Sequence, residues 1–189
     1  MNHTPQIKKA IQFAARKHHG QFRIASAEDG PLPYITHLFS VALLVAEGGA
    51  SDDVITAALL HDTLEDTETN REEIVEAFNE HVALLVEAVS EDKELPWKER
   101  KETYLASMEH VSDEALLIAI ADKVDNVESR IEEYAEQGQA FLNHWRQPVS
   151  DYLWFYGEAL RIAQARLPGH PLTKRYAEAC AKQLQVFAA

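Results

Sequence analysis

Residues 57–67 of the chain read AALLHDTLEDT and join an apolar run to a cluster of polar residues. The apolar part fits the end of a helix that begins after Ser51, a residue type that commonly caps helices. His61 and Asp62 follow directly. Because a charge next to such apolar surroundings is costly without a partner, this pair needs one, and a metal ion bound by imidazole nitrogen and carboxylate oxygen would serve.

Apolar residues recur at helical spacing through most of the chain, and no run alternates at the two-residue period of a strand. The sequence therefore predicts an all-α fold forming a single domain over residues 1–189. The run 115–121 (ALLIAIA) is apolar on all sides and predicts a buried central helix. Helices are predicted at about residues 5–18, 35–46, 52–61, 70–79, 81–90, 96–109 and 112–125, and in two apolar-patterned segments, 139–166 and 172–187.

The overall composition restricts the function. The chain has 189 residues, 31 acidic against 18 basic, and a formal net charge of −13. Such a surface repels phosphate backbones, which predicts no nucleic-acid binding. The sequence shows neither a signal peptide nor an apolar run long enough to cross a membrane, so we expect a cytoplasmic protein without a membrane partner. A single cysteine, Cys180, excludes an internal disulfide framework.

Two further residues have settings like that of the His-Asp pair. His37 begins an apolar helix, and Asp122 ends the apolar run 115–121. Each of these residues, taken alone, is more simply explained as a capped or hydrogen-bonded residue at a helix end. Together, two histidines and two aspartates form a nitrogen and oxygen set that suits Mn²⁺, Fe²⁺ or Zn²⁺ and leaves positions open for water and substrate.

Glu65 and Asp66 follow the His-Asp pair by three to five positions. If the helix continues, Glu65 lies one turn from the pair, where a carboxylate can take a proton from a bound water or orient it. The alternative is that these acids cap the next helix, and the spacing alone leaves both interpretations open.

Several longer sequence segments resemble those of a known enzyme family. Residues 20–23 (GQFR), 33–37 (PYITH), 57–67 and 121–126 (ADKVDN) resemble the hydrolase domain of the Rel/Spo alarmone enzymes, which are HD metal-dependent phosphohydrolases. Residues 92–101 (DKELPWKERK) are similar to the small stand-alone alarmone hydrolases. The resemblance covers about residues 5–135. It implies an HD helical bundle over that range, followed by a C-terminal helical extension at 139–189.

The resemblance also implies roles for single residues. One Mn²⁺ would be held by His37, His61, Asp62 and Asp122. Glu65 and Asp66 would be catalytic, positioning or activating water and assisting the leaving group. The substrate, a guanine nucleotide, would be contacted by Arg23, which stacks on the base, and by Asn126 and Ser129, which contact the nucleoside. The reaction would remove the 3′-pyrophosphate of ppGpp or pppGpp, giving GDP or GTP and pyrophosphate.

The sequence departs from the family pattern at Ile24, where lysine is common, and in the longer segment 25–32; Leu38 also replaces a common proline. The first two changes concern the substrate pocket. A second hypothesis is therefore hydrolysis of another nucleotide or of a phosphorylated cofactor, and a third is a non-catalytic nucleotide-binding regulator. The apolar C-terminal helices would suit a homo-oligomer, and Trp145 and Tyr156 are expected in the core or in subunit contacts.

Overall fold

The computed structural model describes residues 4–23 and 30–187, and within these ranges every named element is an α-helix. The predicted all-α fold is confirmed. The helices are α1 Pro5–Lys17, α2 Ile35–Glu47, α3 Asp52–Leu60, α4 Thr63–Asp66, α5 Arg71–Ala77, α6 Glu80–Val89, α7 Trp97–Met108, α8 Asp113–Gln137, α9 Gln139–Leu142, α10 Val149–Arg166 and α11 Pro171–Phe187.

Several helix starts follow from the local sequence. Thr4, Ser51 and Ser112 have extended backbone ψ angles, and each side-chain oxygen accepts a hydrogen bond from the backbone N–H three residues on. After α2, Gly49 has a φ of +79°, a left-handed conformation that glycine adopts without steric cost. These signals fix where the chain turns between the helices that carry the site.

Helix α8 is the central element. It contacts α2, α3, α6, α10 and α11, and residues 115–121 are buried except for the half-buried Leu117. The helix extends to Gln137, well past the predicted end near residue 125, and is closed by Gly138 at a φ of +59°. With 25 residues it is roughly 37 Å long at 1.5 Å per residue.

The C-terminal third packs on this central helix. The segment predicted at 139–166 contains two helices, α9 and α10, and Pro148 caps the start of α10. Helix α11 packs against α8 and α10, and the Tyr176 hydroxyl donates to the Tyr156 carbonyl at 2.9 Å. Buried apolar side chains from Ile7 to Cys180 form one continuous cluster. The division into a core at 5–135 and an extension at 139–189 stays a prediction.

The structure describes both ends of the predicted loop between α1 and α2, up to residue 23 and again from residue 30. Phe22 and Pro33 form an isolated antiparallel bridge, flanked by hydrogen bonds from Arg23 N to Leu32 O and from Tyr34 N to Gln21 O, both 2.9 Å. This bridge places Arg23 and Tyr34 beside the start of α2. Ile24 and residues 25–29, where the sequence departs from the family pattern, lie outside the described residues. Within the described ranges, no helix combines the length and apolar character that a membrane span requires.

Candidate metal centre and active site

Three helices bring the four predicted metal ligands together. His37 comes from the first turn of α2, His61 and Asp62 from the end of α3, and Asp122 from the middle of α8. We call these four residues the metal-ligating group, after the role that the resemblance implies for them. The Nε2 atom of His37 lies 3.2 Å from Asp122 Oδ1 and 3.6 Å from Asp62 Oδ2. The Nε2 atom of His61 lies 3.2 Å from Asp62 Oδ2 and 3.7 Å from Asp122 Oδ1.

Both histidines are held through their Nδ1 atoms. The Nδ1 of His61 lies 2.9 Å from the Ala58 carbonyl oxygen, and that of His37 lies 2.6 Å from Asp125 Oδ2. When Nδ1 carries the proton for these contacts, the Nε2 lone pair is free for a metal, as in many metal-binding histidines. The Nε2 of His61 is buried and has no hydrogen-bond partner among the described residues. The donor set and this unsatisfied atom fit a divalent transition metal.

The charges of the site also favour a bound metal ion. Burial lowers the pKa of His61, but Asp62 and Asp122 outweigh it and raise that pKa well above its usual value. Burial would raise the pKa of Asp122, but the Lys123 ammonium, 2.6 Å away, and the two histidines hold it well below its ordinary range. The carboxylates are therefore ionised and favour a positive charge where the four side chains meet.

Tyr34 supports Asp62 from the α1–α2 loop. Its hydroxyl donates to Asp62 Oδ2 at 2.6 Å, and its ring stacks on His18 with centroids 5.4 Å apart. Burial, together with the nearby Asp62, raises the pKa of Tyr34, so the hydroxyl stays protonated and remains a donor. This contact fixes the orientation of a carboxylate that lies between the end of α3 and the start of α4.

The two predicted catalytic acids lie next to the metal-ligating group. Carboxylate oxygens of Asp62, Glu65 and Asp66 lie within 4.8 Å of one another. Glu65 Oε2 accepts from the Glu91 backbone N–H at 2.9 Å, and Lys93 pairs with both Glu65 and Asp66. Burial and the charge of Asp62 raise the pKa of Glu65. The short helix α4 therefore presents these acids to the site, although residues 66–69 are rich in capping types.

The three predicted substrate residues line different cavities. Arg23 and Ser129 line a cavity of about 480 Å³ that also contains several acids, which we call the acidic cavity. Arg23 and Asn126 line a cavity of about 240 Å³ with Tyr34 and Trp145, which we call the aromatic cavity. The Asn126 amide donates to Asp122 Oδ1, so this residue contacts a metal ligand as well. Arg23 is ion-paired with Asp125 at 2.7 Å.

Sequence reasoning missed several residues that shape the site. Asp125 contacts both His37 and Arg23, and its position three residues after Asp122 on a helix was the available signal. Trp145 and Tyr156, expected in the core or in subunit contacts, pack their rings against the guanidinium of Arg130. No sequence pattern indicates that contact, because it depends on how α10 lies against α8.

Comparison with known proteins identifies the class. A family model described as the HD domain matches residues 10–145, which include all four predicted metal ligands and both predicted catalytic acids. The chain belongs to the HD-domain family.

Within that family, the chain is similar to named alarmone hydrolases. It is 41% identical over 145 residues to guanosine-3′,5′-bis(diphosphate) 3′-pyrophosphohydrolase MESH1 of Homo sapiens, which covers 69% of this chain and 79% of that protein. It is 42% identical over 132 residues to guanosine-3′,5′-bis(diphosphate) 3′-pyrophosphohydrolase of Aquifex aeolicus (strain VF5). That match covers 67% of this chain and only 18% of the Aquifex protein.

A solved structure shows the same arrangement of helices. It is that of a metazoan ortholog of SpoT, described as hydrolyzing ppGpp, and it superposes with a TM-score of 0.81 at 26% sequence identity. The match covers 97% of this chain and 98% of the other, so it includes the C-terminal helices α10 and α11.

Proposed function

We propose that this chain is a metal-dependent hydrolase that removes the 3′-pyrophosphate of ppGpp or pppGpp, giving GDP or GTP and pyrophosphate. One observation carries the proposal: the metal-ligating group lies directly beside Glu65 and Asp66 in a chain about 40% identical to enzymes named for this reaction. Neither the arrangement of these residues nor the sequence identity would be enough alone, because one fold can support several substrates.

We propose Mn²⁺ as the metal, held by His37, His61, Asp62 and Asp122. Mixed imidazole and carboxylate ligands suit Mn²⁺ as well as Fe²⁺ or Zn²⁺. The metal would neutralise charge on the scissile phosphate and lower the pKa of a bound water. The protein holds the ligands in place through Asp125, Tyr34 and the Ala58 carbonyl.

Glu65 and Asp66 serve the proton transfers in this proposal. Glu65 lies beside Asp62 with a raised pKa, which suits a group that takes a proton from water and returns one to the departing 3′ oxygen. Lys93 pairs with both acids and keeps them oriented. The water oxygen bonds to phosphorus, the bond from that phosphorus to the 3′ oxygen breaks, and the 3′ oxygen receives the proton.

The nucleoside would lie on the Arg23 side of the metal. Arg23 lines both the acidic and the aromatic cavity, and its flat guanidinium can stack on guanine. Asn126 lines the aromatic cavity and the smaller cavity beside Asp122, Ser129 lines the acidic cavity, and both would contact the nucleoside. The predicted homo-oligomer and the predicted cytoplasmic location are part of the same proposal.

The direct test is hydrolysis of ppGpp by the purified protein with Mn²⁺. We expect pyrophosphate release, and we expect Glu65→Gln to keep its metal while kcat falls about 10²- to 10⁴-fold, because a general base is lost. Glu114→Gln is the matched control, since Glu114 is an exposed acid that contacts His81. The substrate proposal fails if micromolar enzyme releases no pyrophosphate.

The metal is tested separately. Metal analysis of the purified protein should show about one divalent ion per chain, and His61→Ala should remove it. His110→Ala provides a control, because His110 is exposed and remote from the metal-ligating group in the sequence. Normal metal content in His61→Ala would contradict the proposed ligand set.

A second candidate is hydrolysis of another nucleotide or of a phosphorylated cofactor. The observation that favours it is that Arg23 is already ion-paired with Asp125, and that acids line the cavity beside it, including Glu128, Glu132 and Glu136. A phosphate-release screen across purine and pyrimidine nucleotides separates the two candidates. A kcat/KM higher for a substrate without guanine would favour the second.

A further inference from the structure

Arg130 of α8 lies where three cavities meet at the site. With His61, Asp62 and Asp122 it lines a cavity of about 160 Å³, which we call the inner cavity. It also lines the aromatic cavity and a cavity of about 690 Å³ that opens beside Glu65 and contains Lys101, which we call the outer cavity. A molecule that reaches the metal-ligating group through the inner, aromatic or outer cavity therefore passes this side chain, whereas the acidic cavity reaches His37 without it.

Aromatic rings hold the Arg130 guanidinium. Its Cζ lies 4.7 Å from the ring centroid of Tyr152, 4.9 Å from that of Tyr156 and 5.4 Å from that of Trp145. Its Nη1 is buried and has no hydrogen-bond partner in the described parts of the chain. A buried donor without an acceptor is costly, so such a group points to an acceptor that a ligand brings.

The neighbouring cations differ from Arg130 because carboxylates already neutralise them. Lys123 pairs with Asp122 at 2.6 Å, and Lys93 pairs with Glu65 and Asp66. Lys101 and Arg100 share a third acid, Glu91, at 2.6 and 3.0 Å. For Arg130 the described residues provide no ion pair, although Glu133 lies within its electrostatic influence. Arg130 is thus a cation at the metal site that is available to an anion.

The position of Arg130 on α8 indicates the kind of anion that this side chain would bind. Asp122, Asn126 and Arg130 are four residues apart and lie on one face of the helix, roughly 6 Å apart along the axis. Helical side chains lean toward the N-terminus, which brings the Arg130 head toward Asp122. A phosphate chain that extends from the metal-ligating group along this face of α8 would therefore meet the Arg130 guanidinium.

We propose that Arg130 binds the outer phosphate of the pyrophosphoryl group, the one not attached to the nucleoside, while the inner phosphate lies at the metal. This inference rests on the proposed function. Water would attack the inner phosphorus, the bond to the 3′ oxygen would break with that oxygen taking the proton, and the departing pyrophosphate would remain paired with Arg130. Arg130 is then the residue by which the site distinguishes a diphosphate from a monophosphate.

The test compares Arg130→Ala with the unmodified chain, using two inorganic probes. Calorimetry on the metal-loaded protein, at a fixed free Mn²⁺ concentration, gives the affinity for pyrophosphate and for orthophosphate. We expect Arg130→Ala to weaken pyrophosphate binding about 10- to 100-fold, the range of one charge-assisted hydrogen bond, and to change orthophosphate binding less than about 3-fold. The kcat/KM for ppGpp should fall with the pyrophosphate affinity.

Matched variants separate this role from a structural one. Arg161→Ala removes an exposed arginine that pairs with Glu158 and Glu109, and should leave both affinities unchanged. Arg130→Lys keeps the charge without the flat group, so it should give an intermediate loss and provides a second variant if Arg130→Ala does not fold. Metal content and helical circular dichroism report whether each variant is intact.

The outcomes distinguish the two levels of the proposal. Equal losses for pyrophosphate and orthophosphate, or no loss for either, would overturn the role of Arg130. If the unmodified chain binds pyrophosphate through Arg130 but does not cleave ppGpp, the alarmone substrate is wrong and the diphosphate subsite stands. If it cleaves ppGpp and Arg130→Ala is unimpaired, the function stands and the subsite is wrong.

Discussion

Helix α8 presents two neighbouring stripes of side chains to the two sides of the metal-ligating group, and they differ in charge. One stripe, Asp122, Asn126 and Arg130, starts with a metal ligand and ends in a cation that is available to an anion. The other starts at Asp125 and continues through acids along the acidic cavity, Glu128, Glu132 and Glu136. An anionic substrate therefore meets an asymmetric site, which favours its phosphates near Arg130 rather than along the acids.

Replacing Asp122, the first residue of the first stripe, with asparagine should have the largest effect. Asp122→Asn removes a proposed metal ligand and the carboxylate that pairs with the buried Lys123 ammonium. We expect loss of the metal, at least a 1,000-fold fall in kcat, and destabilisation of about 3–5 kcal/mol from the uncompensated charge. Metal analysis, turnover and a thermal melt measure the three effects. A variant with full metal content would show that Asp122 is not a ligand.

Replacing Asp125, the first residue of the second stripe, with asparagine should have a smaller effect. Asp125→Asn keeps every metal ligand but removes the carboxylate that holds His37 and Arg23. We expect metal affinity to fall about 10- to 100-fold, as for other residues that support metal-binding histidines, with activity recovered at saturating Mn²⁺. Asp113→Asn, at the exposed start of α8, is the control. Failure of excess metal to restore activity would contradict a supporting role.

Arg23→Ala tests the base side of the site. A cation stacked on a ring contributes about 0.5–2 kcal/mol, so KM should rise about 2- to 30-fold with kcat nearly unchanged. Arg161→Ala is the matched control, because Arg161 is exposed and pairs with Glu109 and Glu158. A fall in kcat at constant KM would place Arg23 at the reacting phosphate instead.

Neutralising the acidic stripe should have the smallest effect. Glu132 and Glu136 are exposed, so the double variant to glutamine should lower KM for an anionic substrate about 2-fold at low salt. The difference should vanish at high ionic strength because surface charges are screened. Steady-state kinetics at two salt concentrations measure it, and an effect that persists in high salt would indicate a direct contact.

The proximity of the four predicted ligands could be expected from the sequence because these residues carry their own signal. His61 and Asp62 end an apolar helix and Asp122 ends another apolar run, so their polarity conflicts with their surroundings in the sequence itself. The all-α fold followed from helical periodicity for the same reason. These are local features, and a single sequence contains them in full.

The surroundings of the group were less predictable because they depend on packing. The ring contacts of Arg130 join α8 to residues 145–156, and the sequence contains no pattern that pairs them. The end of α8 was placed near residue 125 because the apolar run stops there, yet α11 packs along the later turns. Long-range contacts of this kind appear only in three dimensions.

The placement of Asp122, Asn126 and Arg130 on one rigid helix has a consequence for how such a site can change. The separation between metal and cation is set by helical pitch, so inserting or deleting one residue between them would turn Arg130 about 100° away from the site. Substitution is not restricted in this way. Selection for a different phosphate chain would therefore proceed by exchanging side chains at position 130, with the spacing of the helix left intact.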